Sequence, residues 1–334
     1  MGEFPFGLSG GTGFPLAAFE IPRWLVEPAV MACRAFNTAV DAAFYDVPQL
    51  VRDLADKDMI VATMQGGAKM PSRIVNLDAL TNPEGSLLLI DTTTAPYVHR
   101  FIDVQAYLDS PHPETKEVAI ATVTGVGSSA YGAAAFGWQV SRALGKPVLA
   151  IVPGYGVADM IQQALGGWFV FGLHDFLEVK PAVQTALAEA APDAAEIGRA
   201  LPQTAPDHVQ APLFEHGSGS SDVLHALLSD PRMRLTTLVG HSKGALVIKN
   251  AIRSLTPVAG RTLTVATFGC PIAHEEAGVR YHQCLGLFDL LGELNAWGNP
   301  PDRAPAATHT TNPYAPAPLP VVLLLQQLLD DQAA

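Results

Sequence analysis

Cysteine is scarce in this chain. Three occur in 334 residues, Cys33, Cys270 and Cys284. An odd number at unrelated spacings gives neither a disulfide framework nor a zinc site, and it fits a reducing compartment. Charge is sparse too. Asp, Glu, Lys and Arg together make up 16% of the residues, against 49% hydrophobic ones. That balance excludes global disorder and supports a large core. Basic residues are the rarer sign, 20 Lys and Arg against 32 Asp and Glu, for a formal net charge of −12. No Lys/Arg cluster interrupts this, which argues against nucleic acid as a partner. Long apolar runs are missing. Val118–Val126 and Pro147–Val152 are strand-sized and too short to span a membrane. The opening MGEFPFGLSGGTGFP lacks a basic start and a continuous apolar core. No signal peptide is read there, and a cytoplasmic location is expected.

What is present centres on Leu235–Ile252, LTTLVGHSKGALVIKNAI. An apolar run, Leu235–Val239, ends in Gly240-His241-Ser242-Lys243-Gly244, and a helical pattern follows at once. This is strand, tight turn and helix, with G-x-S-x-G on the turn. The spacing has a steric reason: small residues two before and two after the serine let strand and helix pass close together. The turn lifts the Ser242 hydroxyl above the sheet edge. It also aims the first backbone N–H groups of the helix at the place where negative charge develops in acyl transfer.

The rest of the chain reads as alternating strands and helices. A helix is expected from Pro22 to about Tyr45 and another from Pro48 to Asp56. Arg73–Leu80 and Ser86–Thr93 read as a hairpin, followed by a short helix around Val98–Leu108. Glu117–Val123, a Gly-rich loop, a helix over Tyr131–Leu144 and Val148–Val152 form a β-loop-α-β unit. Its loop, Thr124-Gly125-Val126-Gly127-Ser128-Ser129, lacks the third glycine of a dinucleotide fingerprint and the Gly-Lys-Ser/Thr ending of a phosphate loop, so no cofactor is expected. Residues 156–215 read as a lid-like insertion over the sheet edge. Within it, Trp168, Phe169, Val170 and Phe171 stand between glycines and are expected to line a substrate pocket, with ordinary helix packing as the alternative. Ser221–Leu228, Thr262–Phe268, Tyr281–Phe288 and Val321–Asp330 are read as helix, strand, strand and helix. The expected fold is a three-layer α/β sandwich with a predominantly parallel central sheet. Residues 1–72 form an N-terminal arm with helices packing on a core of 73–334.

A serine hydroxyl is a weak nucleophile until a base takes its proton, and the base needs a carboxylate to fix its tautomer. In an open parallel sheet such groups come from loops after the C-terminal ends of strands. Asp289 directly follows the strand read over Tyr281–Phe288, and His309 lies in a later irregular loop. The order Ser242, Asp289, His309 is the one this architecture expects. Asp302 and Glu293 are rival acids. His274 and His282 precede Asp289, and His241 sits inside the elbow, facing away from the serine's side. A helix N-cap is the bland role for Asp289. The backbone N–H of Lys243 is one expected oxyanion donor, with the second from Val126 or Gly125.

With these residues in view, the chain resembles the α/β-hydrolases, and within them it is similar to class 3 lipases and their bacterial lipase-like relatives. The matching pieces are V-G-H-S-K-G at 239–244, T-F-G-C-P-I at 267–272, F-D-L-L at 288–291 and His309. They cover about residues 117–330. Ala245 stands where a second glycine often follows the elbow, and T-G-V-G-S-S replaces the more usual R-G-T type of loop. The resemblance implies hydrolysis of esters on acyl chains without a cofactor. The expected partner is then a small-molecule or lipid-like ester, with no metal and no nucleic acid. Two other readings stay open: an acyltransferase using the same triad, and a non-catalytic hydrolase-fold protein that docks on a lipid or polymer surface through 1–60 and 166–172.

Overall fold

The computed structural model describes residues 39–55, 61–65, 68–72, 86–93, 97–101, 103–111, 113–125, 128–153, 219–253, 255, 262–272, 276–296 and 298–333. Their centre is a nine-stranded sheet: β1 (Val61–Gln65), β2 (Ala68–Ser72), β3 (Leu87–Asp91), β4 (Tyr97–Phe101), β5 (Ile120–Val123), β6 (Val148–Ile151), β7 (Thr237–His241), β8 (Leu263–Phe268) and β9 (Val279–Cys284). The spatial order is β2-β1-β4-β3-β6-β5-β7-β8-β9. Strands β6, β5, β7, β8 and β9 are all parallel neighbours. Strand β3 joins them antiparallel to β6, and the β1–β2 and β3–β4 pairs are also antiparallel. The fold is therefore α/β with a mixed, mostly parallel sheet.

The helices are α1 (described over 39–44), α2 (Val47–Ala55), α3 (Val104–Leu108), α4 (Ala130–Leu144), α5 (Gly219–Ser229), α6 (Gly244–Arg253), α7 (Leu290–Ala296) and α8 (Val321–Ala333). They cover both faces of the sheet, and strand alternation divides the core accordingly. Leu88, Ile90, Val148 and Phe268 pack with Phe136 and Trp138 of α4 and with Leu325 and Leu328 of α8. Leu87, Leu89, Leu149, Ile151 and Val265 pack on the other face with Tyr107, Leu224, Leu227 and Ile248. All five residues of β3 are buried, as are all four of β5 and of β6. Central strands covered on both faces read as continuous apolar runs for this reason, and each large apolar side chain withdrawn from water contributes about 1.5–3 kcal/mol. Helix α4 is closed by its sequence at both ends. Ser129 Oγ accepts the N–H of Tyr131, and Gly145 takes the left-handed conformation at φ 61°. Among the described residues, no helix is long and apolar enough to cross a membrane.

Three expected elements are placed differently. The hairpin partner of Leu87–Asp91 is Tyr97–Phe101, not 73–80, because Leu87–Asp91 already has β4 and β6 on its two edges. Asp91 makes the turn: its carboxylate accepts the N–H of Thr93 at 2.8 Å and its hydroxyl at 2.6 Å. The helix expected over Val98–Leu108 is strand β4 followed by α3, which starts where Asp103 accepts the N–H of Ala106 at 2.7 Å. Strand β9 ends at Cys284 rather than Phe288. Beyond it the backbone leaves β8 and bonds to a later loop, with the N–H groups of Leu285, Leu287 and Phe288 donating to the carbonyls of Arg303, Pro305 and Ala307. The insertion 156–215, the early part of the first helix and 73–85 lie outside the described residues.

Candidate active site

Parallel strands put their C-terminal ends on one edge, so the loops after β5, β7, β8 and β9 gather there. Ser242 follows β7 in a left-handed conformation, φ 54°, which costs a serine free energy and persists only where surrounding structure imposes it. The constraints are visible. Its N–H donates to the carbonyl of Phe268 at the end of β8, at 2.8 Å, and its carbonyl accepts the N–H of Ala245 as α6 begins. A Cβ on Gly244 would lie 2.2 Å from the carbonyl oxygen of Val123, and one on Gly240 would lie 2.9 Å from the backbone of Ala245. The two small residues are thus required by the approach of strand, helix and neighbouring loop. Ser242 itself is 8% exposed.

Asp289 does not sit at a strand end. It lies five residues beyond Cys284 and opens α7. Both roles read from the sequence meet in it. Its Oδ1 accepts the N–H of Gly292 at 2.6 Å, an N-cap bond, and both carboxylate oxygens face His309 Nδ1, at 2.8 and 2.9 Å. An ionised carboxylate can only accept, so Nδ1 carries a hydrogen, and in the neutral ring Nε2 is the nitrogen with the lone pair. The Asp289 side chain is fully enclosed and that of His309 is 9% exposed. An imidazole fixed in this tautomer is a base directed by its Nε2.

His309 lies against residues next to Ser242 and next to its backbone partner Phe268. The nearest atoms to a Cβ placed on Gly269, the residue after Phe268, would be His309 Cε1 and Nδ1 at 3.0 Å and Asp289 Oδ2 at 3.1 Å. His241, immediately before the serine, bonds through Nε2 to the carbonyl of His309 at 2.8 Å. The His241 and His309 rings lie 4.9 Å apart. Burial, and then the neighbouring His309, hold the His241 imidazole down to about 3, so it is neutral.

The rival acids have other places. Asp302 Oδ2 accepts the N–H of Gln283 at 2.7 Å. Glu293, expected in a loop, belongs to α7, and its N–H donates to the carbonyl of Asp289. His282 lies in β9, and His274 is outside the described residues. Of the expected oxyanion donors, Lys243 follows the serine in the turn, and its carbonyl accepts the N–H groups of Leu246 and Val247. Val126 lies outside the described residues. Gly125 lies against the serine: a Cβ there would be 3.3 Å from Ser242 Cβ and 3.5 Å from Oγ. Its N–H donates to the Tyr45 hydroxyl at 3.0 Å. Trp168, Phe169 and Phe171 are outside the described residues. Among the described residues, no cluster of three or more His, Cys, Asp or Glu has the arrangement to hold a metal ion.

Sequence reasoning missed the part played by α1 and the residue after it. The hydroxyl of Thr310 and the side-chain N–H of Asn312 donate to the carbonyls of Ala43 and Ala42, at 2.8 Å each, and the N–H of Thr311 donates to that of Phe44 at 2.9 Å. The three residues after His309 thereby satisfy carbonyls at the C-terminal end of α1. The Phe44 ring stands edge-on to His309 at 5.8 Å. Asp41 accepts the hydroxyl of Ser128 at 2.8 Å and the N–H of Ser129 at 2.6 Å, fixing the loop at the start of α4. Burial pushes its carboxyl up to about 7 despite these bonds. No local motif marks these residues, because every partner is distant in the chain. Gln283 was missed likewise: its amide oxygen accepts the N–H of Ile272 and its amide nitrogen donates to the carbonyl of Ile272, holding the Gly269–Ile272 loop.

Comparison of the chain with protein-family models, with curated proteins and with solved structures returned no match.

Proposed function

We propose that the protein is a serine hydrolase of carboxylic esters, of lipase or esterase type, on an α/β-hydrolase sandwich. The observation that carries this reading is a buried Asp289–His309 pair tied through the His309 carbonyl to His241, the residue before a serine held at φ 54° on a strand–helix turn. In the proposed reaction Ser242 Oγ attacks the ester carbonyl carbon as His309 Nε2 takes the hydroxyl proton. The oxyanion is held by backbone N–H groups, that of Lys243 first among them. His309 returns the proton to the leaving alcohol, and an acyl-Ser242 remains. Water then attacks the acyl carbon as His309 takes its proton; the acyl–Oγ bond breaks, His309 returns that proton to Ser242 Oγ, and the acid leaves. Asp289 holds the imidazolium in place throughout. No cofactor enters this scheme.

Acylglycerols and short polyesters are the proposed substrate classes. Leu287, Phe288 and Leu290, which flank Asp289, are 65%, 63% and 79% exposed. Large apolar groups left in water beside a candidate site favour an apolar substrate. The test is turnover of p-nitrophenyl esters from acetate to palmitate by the wild type and by Ser242→Ala. Turnover that vanishes with Ser242→Ala while melting is unchanged supports the reading. Wild-type protein inert toward the whole series contradicts it.

A further inference from the structure

Tyr45 and His241 take no proton in the scheme above, yet both are buried in the wall of the site. His241 Nδ1 lies 2.8 Å from the Tyr45 hydroxyl, and Nε2 lies 2.8 Å from the carbonyl oxygen of His309. A count of hydrogens fixes the direction of every bond. A carbonyl oxygen only accepts, so Nε2 carries the imidazole hydrogen. A neutral imidazole has one N–H, so Nδ1 accepts, and the Tyr45 hydroxyl donates to it. The Tyr45 oxygen in turn accepts the N–H of Gly125 at 3.0 Å. The opposite tautomer would set two lone pairs against each other at 2.8 Å. Burial holds the Tyr45 hydroxyl well above its ordinary range, so it keeps the proton it donates. The ring of His241 is boxed by Tyr45, edge-on at 5.2 Å, and by Phe136 at 5.9 Å.

The chain therefore runs one way: Gly125 N–H to Tyr45, Tyr45 O–H to His241, His241 N–H to His309. It starts on the loop that touches Ser242 and ends on the main chain of the base. It crosses from a residue following α1, through the residue before the nucleophile, to the 303–320 loop. We propose that Tyr45 and His241 are positioning residues that fix the main chain of His309 against Gly125, keeping base and serine in register during acyl transfer. The proposal rests on the serine-hydrolase reading of the site.

The perturbation is Tyr45→Phe, which removes one oxygen and keeps the ring. It leaves His241 Nδ1 and the N–H of Gly125 without their partner inside the protein. His241→Gln is the second variant: its amide reaches toward the His309 carbonyl but offers no acceptor at the Nδ1 position. The expected result for Tyr45→Phe is a kcat lowered about tenfold to a hundredfold with KM within about twofold, because the lost order concerns reacting groups rather than substrate binding. Ser242 is still labelled by a fluorophosphonate, more slowly. A merely structural role would move melting temperature without this kcat–KM split. Histidine ¹⁵N spectra supply a readout independent of turnover: His241 should show a protonated Nε2 and an unprotonated, hydrogen-bonded Nδ1 in the wild type.

Tyr45→Phe with unchanged kcat overturns the proposal, as does a wild-type His241 protonated on Nδ1. If neither variant folds, the wild-type spectrum decides alone. Wild-type protein that no fluorophosphonate labels sinks the hydrolase reading itself, a result distinct from normal labelling with an indifferent Tyr45→Phe.

Discussion

Replacing Asp289 by Asn exchanges one oxygen for an NH₂ group and separates the two duties this residue performs. The cap needs one acceptor, for the N–H of Gly292 at 2.6 Å, and the amide oxygen of Asn supplies it. Asn and Asp rank together at N-caps, so α7 should start as before. The pairing with His309 is altered by the exchange, because one of the two oxygens facing Nδ1 becomes a donor. With the amide oxygen kept on Gly292, the NH₂ group takes the Oδ2 place, 2.9 Å from Nδ1. A donor there opposes a hydrogen on Nδ1 and favours the tautomer hydrogenated on Nε2. A base hydrogenated on the nitrogen that must take the serine proton is no base. Loss of the tautomer-fixing carboxylate costs about 10⁴ in kcat in a serine protease, or roughly 5 kcal/mol of transition-state stabilisation. The change also removes an anion from beside the imidazolium that would form in the proposed reaction. Asp289→Ala would lose both duties, adding a cap cost of about 1 kcal/mol to stability. The assay is steady-state turnover of an acetate ester, with thermal unfolding on the same preparations. Asp302→Asn is the control, since an amide oxygen can still accept the N–H of Gln283. An Asp289→Asn protein within tenfold of wild-type kcat would refute the reasoning. So would an Asp302→Asn protein that loses activity while Asp289→Asn keeps it.

Two further outcomes follow from the packing at Gly269 and the burial of Asp41. Gly269→Ala puts a Cβ 3.0 Å from the His309 ring and 3.1 Å from the Asp289 carboxylate, at a residue whose φ is 70°. It should destabilise the protein by about 1–2 kcal/mol and lower ester turnover about tenfold or more; steady-state kinetics and melting check this, and wild-type kinetics would contradict it. Asp41 gives a pH signature. Its carboxyl is raised from 3.8 to about 7 in the folded protein, so the native state holds a proton that the unfolded chain releases between those values. Its contribution is fully present below about pH 4 and declines as pH rises to about 7. Urea melts of wild type and Asp41→Asn from pH 4 to 8 should diverge over that window, by on the order of a few kcal/mol, and parallel curves would show that Asp41 does not titrate there.

The sequence carried those features that short-range sterics impose. The elbow was legible because Gly240 and Gly244 are dictated by the chain immediately around Ser242. Asp289 and His309 were legible through topology, which sends the loops after parallel strands to one edge. Asp289 was found even though its strand was drawn four residues too long. Leu285–Phe288 is apolar enough to read as strand, but its backbone partners, Arg303, Pro305 and Ala307, belong to an irregular loop. The hairpin was misread because the turn-forming residues Thr81-Asn82-Pro83-Glu84-Gly85 favoured 73–80 as the partner, whereas Leu87–Asp91 pairs with Tyr97–Phe101. Tyr45, Asp41 and the cap that Thr310–Asn312 place on α1 left no local pattern. Their partners are 80 or more residues away, and a single hydroxyl or carboxylate in a helical stretch looks like any other.

The central claim is that Ser242 is a nucleophile activated by the Asp289–His309 pair. Intact-mass and peptide mass spectrometry after treatment with a fluorophosphonate tests it most directly. The account predicts one adduct per chain, on the peptide containing Gly240–Gly244, formed rapidly by the wild type, at least about a hundredfold more slowly by Asp289→Asn, and absent from Ser242→Ala. An adduct on another residue, or one that persists in Ser242→Ala, would contradict it.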